Sequence, residues 1–130
     1  MIGALGDAVG PQGDVLMPSF NLSGSKQERA ARWDVEQTPS SVGWLTEAFR
    51  QMPETTRSDH YSHSVAAQGP RARDIVSNHL SDKGMASPWD LKPWGKTYGA
   101  ESPMVLALDL GVKILMVGVD YESSTYVHLA

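Results

Sequence analysis

The sequence predicts an α/β fold, a layered sheet with flanking helices, because helical and strand-like segments alternate along its length. A length of 130 residues suits one domain. The composition, 41% hydrophobic and 20% charged, is typical of a globular protein rather than a disordered one. We therefore predict a single domain over residues 1–130, and we detect no internal repeat or low-complexity segment.

The first third of the chain predicts a helix, a strand and a long loop. Residues 1–9 have the pattern of the last turns of a helix, and Gly10 is placed to end it. Residues 14–17 form a short buried strand that Pro18 terminates. Residues 19–37 are polar and lack a period, which predicts a surface loop, and long loops in compact domains are often functional.

The middle of the chain predicts a second helix followed by two extended segments. The hydroxyl of Ser40 or Ser41 can cap this helix, which ends before Pro53. Residues 55–58 are extended, and residues 62–67 have the composition of a strand.

Two helices and a strand are predicted in the last third. Pro70 occupies the first position of a helix that runs to about Leu80. Residues 81–101 are irregular, and a further helix covers residues 103–110. Residues 112–119 are strongly apolar and predict a buried strand.

The segment after that strand carries the clearest functional signal. A polar turn at residues 120–125 holds the carboxylates of Asp120 and Glu122, and His128 follows on the first turn of a helix. Ligands of open α/β proteins bind after the carboxyl ends of strands, and histidine exchanges protons near neutral pH. Exposed N–H groups at a helix start can also hold anions. The alternative interpretation is a capped helix with a partly buried histidine.

The remaining histidines and the tryptophans have structural interpretations. His60 and His63 could form a metal pair, but no acidic or cysteine ligand lies at a recognisable spacing, and on a strand the two would face opposite ways. We predict no metal site. His79 is predicted to be a surface residue near a helix C-terminus. Trp89 and Trp94 either form a ligand-stacking platform or, more commonly, fix a loose loop.

Composition excludes several classes of function. The chain has no cysteine, which excludes disulfides, thiolate metal sites and a cysteine nucleophile. Its net charge is −4 and no Lys/Arg cluster forms a stripe, so we predict no nucleic-acid partner. No apolar run reaches the ~18 residues of a membrane span and no signal peptide is recognised, so we predict a cytoplasmic protein without a membrane partner.

A series of short motifs runs in order along nearly the whole chain. They are residues 8–13, 16–18, 38–40, 47–50, 57–60 and 63–70, then Gly118, Val119, Ser123, Thr125 and residues 128–130. Each motif is weak alone, but together they are specific, and the series resembles one enzyme family, the aminoglycoside 3-N-acetyltransferases. Members of this family are longer at both ends, so the resemblance implies an internal portion of an antibiotic acetyltransferase domain.

The resemblance also implies a reaction and a site. The reaction is acetyl transfer from acetyl-CoA to the 3-amino group of a deoxystreptamine aminoglycoside, which inactivates the antibiotic. His128 matches the family's essential base. Glu122 matches a turn aspartate, and we assign it to substrate binding with Asp120 and His60.

Three further residues match a motif near the family's active cleft. We assign Arg57, Ser58 and Ser64 to binding of the co-substrate acetyl-CoA. The partners implied are therefore two small molecules, acetyl-CoA and an aminoglycoside, and no oligomeric state is implied. Two alternatives remain open: an inactive remnant that binds aminoglycoside without catalysis, and a metal-dependent hydrolase that uses His60 and His63.

Overall fold

A small antiparallel sheet lies at the centre of the fold. The computed structural model describes residues 2–115 and places three strands in the order β1-β3-β2. These strands are β1 (Val15–Pro18), β2 (Thr56–Arg57) and β3 (Val65–Gln68). The central strand pairs on both sides, β1 with Val15 opposite Gln68 and β2 with Thr56 opposite Ala67, so its small apolar side chains are buried.

Five helices surround the sheet within the described residues. They are α1 (Ile2–Val9), α2 (Lys26–Arg32), α3 (Trp44–Arg50), α4 (Ala72–Val76) and α5 (Pro103–Asp109). Successive side chains of a strand face opposite ways. Ala66 therefore packs with Phe49 of α3 on one face of the sheet, while Ala67 packs with Ile75 of α4 on the other. Helices on both faces confirm the layered α/β class.

Several predicted elements are confirmed. The first helix, the first strand and the last described helix occupy the expected segments, and residues 81–101 contain only one isolated bridge, between Gly84 and Gly99. The apolar run of residues 112–115 forms no strand where it is described. Residues 116–130 lie outside the described part, so the turn with Asp120 and Glu122 and the helix with His128 stay predictions, as does the single domain over the whole chain.

The predicted loop of residues 19–37 is wrong in its middle, where α2 forms. Ser25 precedes this helix in an extended conformation and its Oγ accepts a hydrogen bond from Glu28 N at 3.2 Å. The Glu28 carboxylate in turn accepts from Ser25 N at 3.0 Å. This reciprocal pair satisfies N–H groups that a helix start leaves open, and it stabilises a helix of only seven residues.

The starts and ends of three other elements differ from the predictions. Gly43, at φ 121°, precedes α3 in place of a serine cap, because the serine hydroxyls bond elsewhere: Ser40 Oγ lies 2.7 Å from Thr46 Oγ1, and Ser41 Oγ accepts from Leu22 N at 2.9 Å. Helix α4 stops at Val76, well before Leu80. Strand β3 begins later than expected because residues 60–63 form a turn.

No helix within residues 2–115 combines the length and apolar character that crossing a bilayer requires.

Candidate functional site

A large open groove runs along one side of the sheet. Its volume is about 1440 Å³, larger than the ~300–1,000 Å³ of most small-molecule pockets. Its lining comes from β1, the helices beside it, the loop before Tyr98 and the residues that follow α5, and includes Leu16, Phe20, Val42, Trp44, Met85 and Leu115. Trp44 is 82% exposed and Leu115 66% exposed, so much of this groove is bare apolar surface.

Polar and aromatic groups gather at one end of the groove. The His63 ring lies 4.8 Å from Phe20, 5.4 Å from Trp89 and 5.7 Å from Tyr98, measured between ring centroids. His63 is only 6% exposed and lines the groove together with the guanidinium-bearing Arg29. This end therefore combines a histidine, a cation and three other aromatic rings.

A buried hydrogen-bond network lies behind His63. His60 Nδ1 accepts from the backbone N–H groups of Ser62 at 3.2 Å and His63 at 3.1 Å. Its proton therefore resides on Nε2, which contacts Thr97 Oγ1 at 3.2 Å. His60 thus closes the 60–63 turn and joins it to the irregular segment that contains Thr97.

A second buried histidine joins the same segment to the sheet. His79 Nε2 lies 3.1 Å from Thr97 O, a carbonyl that can only accept, so Nε2 carries the proton. His79 Nδ1 then accepts from Ser58 Oγ at 2.8 Å. His79 was predicted at the surface, but it is 2% exposed. The prediction is wrong because α4 ends at Val76 and the chain turns inward after it.

Burial keeps both histidines neutral. Loss of hydration lowers the pKa of His60 to about 2, with smaller contributions from His79 and His63. Burial likewise lowers the pKa of His79 to about 4, although its hydrogen bond to Thr97 opposes the change. Neutral rings with both nitrogens in use suit a structural role, and near neutral pH they do not exchange protons.

The two serines assigned to the co-substrate lie inside this network. Ser58 is 1% exposed and its Oγ accepts from Val65 N at 2.9 Å, while Ser64 is fully buried and its hydroxyl donates to Ser58 O. The structure thus brings Ser58, His60 and Ser64 together beneath the surface. Their assignments to ligand binding stay predictions.

Arg57 points away from this cluster. Its guanidinium donates to the carbonyls of Val35 and Thr38, the latter at 2.7 Å, and it lies 4.7 Å over the Trp33 ring. A further bond at 3.2 Å reaches Ser19 Oγ. Burial, followed by the nearby Arg50 charge, lowers the pKa of Arg57 to about 10. In the described residues Arg57 holds the chain between α2 and α3, and its assignment to acetyl-CoA stays a prediction.

The paired histidines do not form a metal site in the described chain. The rings of His60 and His63 are 6.1 Å apart and nearly perpendicular, at 79°. Both nitrogens of His60 are already hydrogen-bonded, and no group of three potential metal ligands lies within residues 2–115. The arrangement gives no support to the metal-dependent hydrolase.

The tryptophans fix the irregular segment, as the more common interpretation predicts. Trp94 Nε1 donates to Asp59 at 3.0 Å, and the buried Tyr61 hydroxyl donates to the carbonyl of Trp89 at 2.5 Å. The side chain of Trp89 also lines the groove, so the stacking interpretation remains open for that residue.

Comparison with known proteins places these observations in a family. The family model described as aminoglycoside 3-N-acetyltransferase matches residues 1–130. The chain belongs to the aminoglycoside 3-N-acetyltransferase family. It is 30% identical to the SPbeta prophage-derived aminoglycoside N(3')-acetyltransferase-like protein YokD of Bacillus subtilis (strain 168), covering all of this chain and 50% of that protein. It is 32% identical to aminoglycoside N(3)-acetyltransferase IV of Salmonella sp, covering all of this chain and 43% of that protein.

Solved structures agree with the family assignment. Aminoglycoside acetyltransferase AAC(3)-Xa superposes with a TM-score of 0.76 at 26% identity, over 98% of this chain and 46% of that one. AAC-IIIb, solved as a binary complex with CoASH, gives 0.72 at 27% identity, over 98% and 48%. AAC-VIa bound to sisomicin gives 0.59 at 28% identity, over 83% and 41%. The chain thus spans about half the length of the relatives it matches.

Sequence reasoning missed two groups at this site, Arg29 and Thr97. Arg29 was placed in a structureless loop, and the Ser25–Glu28 spacing of a capping box was the signal for the helix that carries it. Thr97 has no local signal, because its partners His60 and His79 lie 37 and 18 residues away.

Proposed function

We propose that this chain is part of an enzyme that transfers the acetyl group of acetyl-CoA to the 3-amino group of a deoxystreptamine aminoglycoside. The observation that carries the proposal is the family match over residues 1–130. Two relatives support the choice of substrates, because one was solved with CoASH and another with sisomicin. We also propose that the enzyme acts in the cytoplasm, as the sequence predicts.

The chemistry needs a base beside the acceptor. An aliphatic amine is mostly protonated at neutral pH, and only the neutral form attacks a thioester carbonyl. Attack forms the amide C–N bond and breaks the C–S bond, so coenzyme A leaves as its thiol. We propose that His128 accepts the proton of the attacking amine, directly or through water. Asp120 and Glu122 would hold the cationic acceptor.

The described contacts suggest how the other assigned residues take part. His60, Ser58 and Ser64 are buried. The Ser64 hydroxyl donates to Ser58 O, Ser58 Oγ donates to His79, and His60 accepts from the N–H of Ser62. We propose that they shape the 60–63 turn that places His63 at the groove, and through it help to bind the substrates, His60 the aminoglycoside and Ser58 and Ser64 acetyl-CoA. Arg57 would serve acetyl-CoA in the same way by holding the segment after α2.

A thiol-release assay with acetyl-CoA and gentamicin or kanamycin tests the reaction. The full-length gene product should release coenzyme A only when both substrates are present, and His128→Ala should reduce kcat by about 10²–10⁴-fold, the contribution of a general base. Arg73→Gln, an exposed change on α4, is the matched control and should leave kcat unchanged.

Two outcomes separate the alternatives. Absence of turnover by the full-length product with every aminoglycoside tested would contradict the proposed activity. Calorimetry on the 130-residue chain then addresses the binding-only alternative: heat on addition of gentamicin, without thiol release, would identify an aminoglycoside-binding fragment.

A further inference from the structure

One cation at the polar end of the groove is buried, and no residue of the described part of the chain gives it a countercharge. Arg29 projects from α2 and is only 9% exposed. Its Nε donates to Gly24 O and its Nη1 donates to Ser62 Oγ, each at 3.1 Å. Both acceptors are neutral, so these bonds orient the guanidinium but do not balance its charge.

No carboxylate in residues 2–115 lies within 4.0 Å of this guanidinium. Glu28, the acid of the same helix, is occupied with the backbone of Ser25. Asp14 is the one carboxylate among the described residues of the groove lining, and it pairs with Arg71 at 2.8 Å. An arginine this deeply buried normally has an anionic partner.

The geometry leaves one edge of the guanidinium available. Arg29 Nη2 makes no hydrogen bond with a described residue, and Arg29 lines the groove. The Arg29 Cζ lies 5.1 Å from the centroid of the Trp89 ring, which supports the plane of the guanidinium from one side. Lys113, another groove-lining residue, adds a second positive charge to the same lining.

We propose that the Arg29 end of the groove binds an oxyanion of the phosphate class. A rigid, planar guanidinium matches the geometry of phosphate oxygens, and burial strengthens the attraction by excluding water. Such an oxyanion could belong to coenzyme A or to a free or otherwise bound phosphate. The proposal concerns binding alone and does not rest on acetyl transfer.

Titration calorimetry on the 130-residue chain tests the site. The probes are inorganic phosphate, coenzyme A and pantetheine, which lacks phosphate. We expect phosphate-bearing probes to bind and pantetheine not to bind. Binding of coenzyme A far tighter than inorganic phosphate would identify the coenzyme as the source, and comparable binding would identify a free phosphate site.

Variants locate the binding. Arg29→Gln should raise the dissociation constant for phosphate at least tenfold, and Arg29→Lys should raise it less. The exposed control Arg73→Gln should leave it unchanged. Circular dichroism and Tm check that each variant folds. If Arg29→Gln fails to fold, the indole N–H resonance of Trp89 in the wild-type chain, assigned with Trp89→Phe, replaces it and should shift on addition of phosphate.

The proposal would be overturned if neither phosphate nor coenzyme A binds the wild-type chain, if Arg29→Gln binds equally well, or if the Trp89 resonance does not move. These results are separate from the acetyl-transfer assay. Phosphate binding that depends on Arg29 in a protein without transferase activity would overturn only the proposed function.

Discussion

Two buried neutral histidines make the stability of this chain sensitive to acid. The pKa of His60 is lowered to about 2 and that of His79 to about 4, against an ordinary value of 6.5. Below about pH 6.5 the unfolded chain binds protons that the folded chain does not bind. The stability contributed by the neutral histidines is therefore fully present above about pH 6.5 and falls as the pH drops towards their pKa values in the folded chain.

The size of the effect follows from the two shifts. Each depressed histidine costs about 1.4 kcal/mol of unfolding free energy per pH unit below its unfolded pKa. At about pH 5 the unfolded histidine is ~1.5 units past its pKa, which gives about 2 kcal/mol for each ring and about 4 kcal/mol for both. The pKa of Glu47 is lowered to about 2 by its hydrogen bonds with Arg50. Its protonation therefore changes the unfolding free energy mainly below about pH 4.5, outside the range between about pH 5 and pH 8 in which the histidines act.

Urea unfolding followed by tryptophan fluorescence between about pH 8 and pH 5 measures the effect. The slope of the unfolding free energy near pH 5 should be about 2.7 kcal/mol per pH unit in the wild-type chain and about half that in His79→Gln, which cannot titrate. Asn78→Ala, an exposed neighbour of His79, is the control and should keep the full slope. A flat profile between pH 7 and pH 5, or an unchanged slope in His79→Gln, would refute the burial argument.

Three substitutions test the packing that supports the site, each by urea unfolding at neutral pH. Phe49→Ala empties a fully buried position and should cost about 3–5 kcal/mol; a loss below about 1 kcal/mol would contradict the core packing. Ser25→Ala removes the cap of α2 and should lower the unfolding free energy by ~1 kcal/mol. An unchanged unfolding free energy would show that the cap does not stabilise the fold. Gly69→Ala should destabilise by more than about 1 kcal/mol, because φ is +126° and a Cβ would lie 2.3 Å from the Asp14 carboxylate; a neutral result would contradict that geometry.

Periodic patterns in the sequence predicted much of the layered fold. Helices α1 and α5 were predicted from apolar residues beside Gly10 and Pro103, since both ends are marked by local chemistry. The start of α3 was missed because the hydroxyls of Ser40 and Ser41 bond Thr46 Oγ1 and Leu22 N, which leaves the cap position to Gly43. The second of these contacts joins residues 19 positions apart, which no propensity scale contains.

The candidate site was only partly accessible to sequence reasoning. Family resemblance selected Ser58, His60 and Ser64, and the structure brings them together. The resemblance could not reveal that they lie beneath the surface, because His60 is hydrogen-bonded to Thr97, which lies 37 residues away in a segment without regular structure. His79 was predicted at the surface because the amphipathic pattern of α4 continues past Val76, where the helix ends.

The buried network explains how residues behind the surface can control the groove. His60 Nδ1 fixes the N–H groups of the 60–63 turn, and that turn places both the His63 ring and the Ser62 hydroxyl that orients Arg29. Removing His60 would therefore disturb the histidine and the cation of the groove together. The polar end of the groove thus depends on hydrogen bonds made by side chains that lie beneath its surface.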